Sequence, residues 1–262
     1  MKNIFLKYSV YLSIILIING CNSVDPIEKV EVKRSGFCLT FDDDYLEDWV
    51  NLNDLLESNN VKATFFIARD YLSSTEKAFL NTLLIHGHEI GCHTLHHCHS
   101  LEFISNHSLR EYLDTEIIPQ IEMMNGLGIY PKSFSYPYGE NDSTLDKELL
   151  KYFEILRDVT DEQRKPLEKP IEEIDEIFYK NINPKIVVGL DIDNNFNISL
   201  EQIEKVFKRA KDNNEIVIFY AHQPVNEITR SYQISIGYLQ KLLLLAKKYE
   251  LKNYTLSELI NK

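Results

Sequence analysis

The segment Gly36-Phe37-Cys38-Leu39-Thr40-Phe41-Asp42-Asp43-Asp44 reads as a buried strand whose C-terminal end opens on three carboxylates. Apart from Thr40 the run is apolar on both faces. Such a strand belongs in a sheet covered on both sides, the usual setting of parallel β-structure. Successive strand residues point to opposite sides, so Asp42 and Asp43 can serve different roles. Two adjoining carboxylates also repel unless a cation or a proton stands between them.

Outward from this strand, apolar runs alternate with helical periodicity. Leu52, Leu55 and Leu56 share one helical face around Trp49 to Leu56, and Ala63 to Ile67 is a second strand. A helix from about Thr75 to His86 leads into a short strand, Glu89 to Cys92, and Leu109 to Asn125 reads as another helix. Further strands are expected at Ser133 to Pro137, Phe153 to Leu156, Ile186 to Leu190 and Glu215 to Ala221, with a last one near Tyr254 and Thr255. Helices are expected near Thr144 to Tyr152, Leu200 to Asp212 and Tyr238 to Tyr249. Residues 160–183 are charged and weakly periodic, which predicts a surface excursion. Strands alternating with helices imply an α/β fold in one domain, as a barrel or an open sheet. Both architectures place active sites just after the strands, where the polar residues cluster here.

The histidines are unevenly placed. Seven of the eight lie between His86 and His107, and the eighth, His222, follows a strand. His93 and His97 are four apart and can share one face of a helical turn to bind one ion. His86, His88, His96, His99 and His107 offer competing pairs, and spacing alone does not choose among them. An Asp-His-His set leaves coordination positions open, as a catalytic rather than a structural site needs. A metal there would acidify a bound water, and a free carboxylate beside it could take the proton.

Composition bounds the partners. The 262 residues are 44% hydrophobic, enough to bury a full core. The net charge of −12 argues against nucleic acid or anionic lipid recognised through charge. Lys2 and Lys7 precede an apolar run from Tyr8 to Ile18, followed by Asn19-Gly20-Cys21. This reads as a secretory signal peptide over 1–21 and is too short for a comfortable membrane span. Ile18-Asn19-Gly20-Cys21 resembles a bacterial lipobox, which implies lipidation of Cys21, a tether over 22–34 and a domain over 35–262 anchored at the bacterial cell envelope. Of the other cysteines, Cys92 and Cys98 could bridge only if the chain between them brings them close.

Thr40-Phe41-Asp42-Asp43 resembles the first motif of the polysaccharide deacetylases, the fourth carbohydrate-esterase family with its NodB-like domain. His93-Thr94-Leu95-His96-His97 matches the second motif, H-[ST]-x-x-H. Tyr136-Pro137-Tyr138-Gly139 resembles most of the third, and Tyr220-Ala221-His222 stands where the fifth, L-x-H, is expected. The resemblance implies a distorted (β/α) barrel of about seven parallel strands and a divalent metal, zinc first, held by Asp43, His93 and His97. It implies Asp42 as general base, His222 as general acid and the Tyr138 backbone N–H as an oxyanion donor. The reaction implied is removal of an acetyl group, usually the N-acetyl, from an acetylated glycan. The third motif normally opens with an arginine that orients the catalytic aspartate; Ser135 stands there instead, and Arg157 could replace it from the next strand. The fourth motif is not recognisable. Asp158, Asp191 and Asp193 are candidates to orient His222. Two other readings stay open on these residues: a non-catalytic glycan-binding protein on the same fold, and another metallohydrolase, such as an amidase on a small cyclic substrate.

Overall fold

The computed structural model describes residues 34–164, 169–180 and 183–260. The expected signal peptide with Cys21, and all but the last residue of the tether, lie outside the described residues. The strands in chain order are β1 (Gly36–Phe41), β2 (Thr64–Ile67), β3 (Glu89–Cys92), β4 (Ser133–Ser135), β5 (Ile155–Val159), β6 (Phe178–Tyr179), β7 (Ile186–Asp191), β8 (Ile216–Ala221), β9 (Gln223–Val225), β10 (Gln233–Ser235) and β11 (Lys252–Tyr254). Seven of them, β1-β2-β3-β4-β5-β7-β8, pair in parallel, and β8 closes back on β1 along its whole length from Gly36↔Ile216 to Phe41↔Ala221. The fold is therefore a closed seven-stranded parallel barrel wrapped by helices.

The barrel is distorted in specific places. Strand β1 meets β2 only at Thr40 and Phe41, while β11 occupies the same edge lower down at Gly36–Cys38. The β3–β4 pairing is a single register position, Cys92↔Phe134. The 160–183 segment is not the surface excursion its charge suggests: Ile171, Ile174 and Ile177 are fully buried, and β6 pairs antiparallel with β8. Those three isoleucines, interleaved with Glu172, Glu173, Asp175 and Glu176, carry the packing that the charges mask.

Residue parity explains the layering. On β1, Phe37, Leu39 and Phe41 face the helices and join the large outer core, whereas Cys38 packs inside the barrel with Phe66, Ile155, Val187 and Ile218. Tyr254, Leu256 and Leu259 join that inner cluster at the strand starts. Each such side chain, once buried, contributes roughly 1.5–3 kcal/mol. One step further along the inward ladder the apolar residues give way to Asp42, His93, Ser135, Arg157 and Asp191. Two glycines make room for this interior. A Cβ on Gly91 would stand 2.4 Å from the Phe66 ring, and one on Gly189 would stand 3.2 Å from Cδ of Arg157 and 3.0 Å from the Tyr220 ring.

Candidate metal and catalytic site

At the C-terminal end of the barrel, Asp43, His93 and His97 bring one ligand atom each to within 4.8 Å of one another. His97 Nε2 is 3.3 Å and His93 Nε2 3.8 Å from Asp43 Oδ1. Ligands of a tetrahedral zinc at roughly 2.0–2.2 Å stand a little over 3 Å apart, so the triangle is of the right size. His93 is buried and its Nδ1 lies 2.7 Å from the Ser135 carbonyl, which accepts the Nδ1 proton and leaves the Nε2 lone pair aimed at Asp43. Burial pushes His93 down to about 3, with the neighbouring Asp42 opposing and His97 adding to the effect, so the ring is neutral and able to ligate. Burial raises Asp43 from its ordinary value, His222 and His97 opposing. Two carboxylate- and imidazole-bearing residues are held at positive φ, Asp43 at 84° and His97 at 53°, and Thr94 between the histidines sits at 67°. Non-glycine residues pay about 1–3 kcal/mol for such conformations, which persist where the surroundings impose them.

At the histidine loop the imposing element is the helix expected over Leu109 to Asn125. It is interrupted by a π-turn, Leu113–Ile117, just before Pro119, whose missing N–H cannot continue an α-helix. The π-turn directs buried Glu116 at the histidine loop. Its carbonyl accepts Leu95 N–H at 3.0 Å, Oε2 accepts His96 N–H at 2.9 Å, and Oε1 is 2.8 Å from His96 Nδ1. His96 is thereby taken out of competition as a ligand. The other histidines are also engaged elsewhere: His86 with Glu57, His88 with Asn53 and the Ala63 N–H, His99 with Glu140, and His107 with Glu111. Sequence spacing left these pairs open; tertiary partners close them. Cys38, Cys92 and Cys98 are free thiols, so no Cys92–Cys98 bridge forms.

Asp42 lies beneath the triad, 3% exposed, with Oδ2 bound by Arg157 Nη2 and within 3.5 Å of Ser135 Oγ. Burial alone would raise its carboxyl, but the Arg157 guanidinium, with smaller help from His93 and His222, holds it below the ordinary value. Its other oxygen, Oδ1, is buried without a hydrogen-bond partner and is the free acceptor of the pair. Arg157 is wholly buried, lies 4.5 Å over the Tyr220 ring and also donates to Ser135 Oγ. Ser135 and Arg157 are register partners across β4 and β5. The arginine is therefore displaced by one strand at the same height, and the small serine beside it leaves the guanidinium its path to Asp42.

His222 faces the site from just beyond β8. Asp193 grips it twice, Oδ2 at 2.5 Å from Nδ1 and Oδ1 accepting the backbone N–H at 3.3 Å. Burial opposes charge on this ring, but the Asp193 hydrogen bond and charge, with Asp43 and Asp42, raise it to about 9. Among the three acids named from sequence, Asp193 is the one that orients His222. Asp191 stands beside it, raised to about 7 by burial and by Asp193, while the Asp158 carboxylate accepts the Val159 N–H on its own strand. Asp191, Asp193 and His222 form a second three-residue cluster. A protonated imidazole already bound at Nδ1 is a poor ligand, so the first cluster suits a cation better. Two supports were missed by sequence reading. The Trp49 indole N–H donates to the His222 carbonyl at 3.0 Å, and Glu116 acts as described above. Neither carries a local signal, because each acts through a backbone group distant in sequence.

Asp42, Asp43, His93, His97, Asp191 and His222 line a cleft of about 610 Å3 shared with Tyr45, Tyr136, Tyr138, Phe196, Arg230 and Tyr232, large enough for a sugar ring with its substituents. Tyr138, at φ 57°, stacks on His99 with ring centroids 3.7 Å apart and adjoins His97 at 4.6 Å.

Residues 29–154 match the family model described as polysaccharide deacetylase. Among curated protein sequences none matches the chain. Solved structures share the fold at low identity. A peptidoglycan deacetylase from Bacillus subtilis is 18% identical with a TM-score of 0.55, over 88% of this chain and 92% of that one. A family 4 carbohydrate esterase from Streptomyces lividans, in complex with acetate, is 18% identical with a TM-score of 0.54, over 84% and 91%. A Streptococcus mutans esterase of the same family is 17% identical with a TM-score of 0.55, over 85% and 86%.

Proposed function

The chain belongs to the polysaccharide deacetylase family through residues 29–154, and on that premise we propose that it is a metal-dependent hydrolase removing acetyl groups, chiefly N-acetyl, from a glycan. The observation that carries the reading is Asp42: a buried carboxylate kept ionised by Arg157, with Oδ1 unpartnered, directly beneath the Asp43, His93 and His97 donor set. The donor chemistry fits zinc, and cobalt, nickel or iron could use the same ligands. When bound by Asp43, His93 and His97, the cation supplies Lewis acidity at the acetyl carbonyl and acidifies a water.

The chain's own residues account for the rest. Asp42 Oδ1 accepts the proton of the attacking water, while Arg157 and Ser135 hold Oδ2 and so fix the carboxylate plane. The Tyr138 backbone N–H, set by its left-handed conformation, donates to the oxygen on which charge develops, an interaction worth several kcal/mol in such sites. His222, protonated through Asp193, gives its proton to the departing nitrogen or oxygen, so one water is consumed and acetate and a free amine or hydroxyl are released. The envelope location rests on Cys21: a lipid on its thiol would tether the domain at the membrane surface.

The full-length chain supplied with zinc should release acetate from acetylated chito-oligosaccharide, peptidoglycan or acetylated xylan, lose the activity to a chelator and regain it on re-addition of metal. Absence of acetate from all three would overturn the reading. Ring-opening of a small cyclic amide without acetate release would favour the amidase alternative.

A further inference from the structure

Arg230 lies on an exposed stretch between β9 and β10, yet it is fixed at three points. Its backbone N–H donates to Gln233 Oε1 at 3.1 Å, its carbonyl accepts Asn194 Nδ2 at 2.9 Å, and its Nη2 donates to Gln223 Oε1 at 2.7 Å. Gln233 is only 4% exposed and is the hub: its Nε2 also donates to Gln223 Oε1, and its Oε1 accepts the Thr229 N–H. Gln223 is fixed in turn by Asp48 at 2.7 Å. The guanidinium rests 5.5 Å from the Tyr45 ring and reaches that phenol through the same Nη2, at 3.2 Å. Nε and Nη1 make no hydrogen bond to a described residue, and Arg230 lines the cleft.

Among the described residues its charge has no counterpart. Arg69, Arg110, Arg157 and Arg209 each hold a carboxylate, and acids outnumber bases 40 to 28 in the chain, yet no described carboxylate pairs with Arg230. Arg34 also pairs with no described carboxylate, but of the two it is Arg230 that lines the cleft. Holding its backbone and one amino group in place removes most of the ordering cost a ligand would otherwise meet. What is left is a cation at the edge of the cleft whose Nη1 and Nε donors are free, each able to meet a carboxylate oxygen.

Resting on the deacetylase reading above, we infer that Arg230 recognises a carboxylate carried by the acetylated glycan, so that the preferred substrate is an acidic sugar chain and not neutral chitin or xylan. The carboxylate can belong to a lactyl ether on an amino sugar or to a uronic acid; the chemistry at the fork is the same. A lone exposed charge pair is weak in water, but one whose guanidinium is already held in place discriminates by about tenfold.

The test uses the full-length, zinc-loaded chain and two matched probe pairs: acetylated muramyl oligosaccharide and acetylated glucurono-xylo-oligosaccharide, each with its carboxyl-amidated derivative. The carboxylate form should be preferred about tenfold in kcat/KM, chiefly through KM, for the pair carrying the natural linkage, which identifies the source. Arg230→Gln should bring the ratio close to one, with Arg230→Lys in between. Calorimetric binding of the same pairs reads the preference even without turnover, so a failed deacetylase assay and a failed carboxylate site are separate results. No preference in either pair, or a ratio that Arg230→Gln leaves unchanged, overturns the inference.

Discussion

Arg157→Met removes the cation that faces Asp42 while keeping most of the side chain's volume. The wild-type pair is dry, with side-chain exposures of 0% and 4%. Breaking such a pair strands a buried carboxylate, and the usual cost is about 3–5 kcal/mol. The sign with pH follows from Asp42. In the wild type its folded pKa is depressed, so it contributes stability above the ordinary carboxylate value that is lost as pH falls through the folded value. In the variant, burial is left largely unopposed and the folded pKa rises above the unfolded one. The variant's deficit should therefore be full at pH 7 and shrink toward pH 4, where Asp42 becomes a neutral acid. Urea unfolding with chelator present, so that metal binding does not contribute, should show the midpoint falling at pH 7 by roughly 1–2 M, for an m-value near the upper end of the small-protein range. The rate should fall with it, since a protonated Asp42 accepts no proton. The double variant Ser135→Arg with Arg157→Ser returns the guanidinium to the neighbouring strand at the same register and should recover part of that rate. A deficit under 1 kcal/mol that is flat with pH would refute the role given to Arg157.

Asp193→Asn removes the anion that raises His222. Burial then lowers the ring's pKa from about 9 toward or below the ordinary histidine value, so the alkaline limb of the kcat profile should move down. The loss at neutral pH should be about 10²-fold. An unchanged profile would assign the acid elsewhere. Gly189→Ala puts a methyl 3.2 Å from the Arg157 stem and 3.0 Å from the Tyr220 ring. It should cost about 1–3 kcal/mol by overpacking and lower kcat more than it raises KM. Wild-type kinetics in a destabilised Gly189→Ala protein would show that Arg157 can shift without consequence.

The parallel α/β pattern was legible because its signal is local: apolar runs buried on both faces, separated by amphipathic helices, demand parallel strands, whereas the choice of a barrel over an open sheet came from the motif resemblance. Segment boundaries moved where chemistry intruded. The strand expected at Phe153 to Leu156 lies at Ile155–Val159, so Arg157, expected at a strand end, is an interior residue of the barrel wall. The β9–β10 pair went unread because three-residue strands around an exposed stretch leave no period to detect. For the site, the Asp-Asp pair and the His spacing gave the candidate donors. Spacing alone did not choose among the histidines; the motif resemblance pointed to His93 and His97, and in the fold the others are engaged by Glu116, Glu140, Glu57, Glu111 and Asn53 arriving from other segments. His222 was placed by its strand, but its partner was one of three acids until the fold turned Asp193 onto it. Arg230 gave no sequence signal at all, because its meaning lies in the carboxylate that it lacks.

The most direct test of the metal site is anomalous diffraction at the zinc edge from crystals of the full-length chain grown with zinc. One peak is expected at about 2.0–2.2 Å from Asp43 Oδ, His93 Nε2 and His97 Nε2, lost in His97→Ala. A peak at Asp191, Asp193 and His222 instead, or none at Asp43, would contradict it.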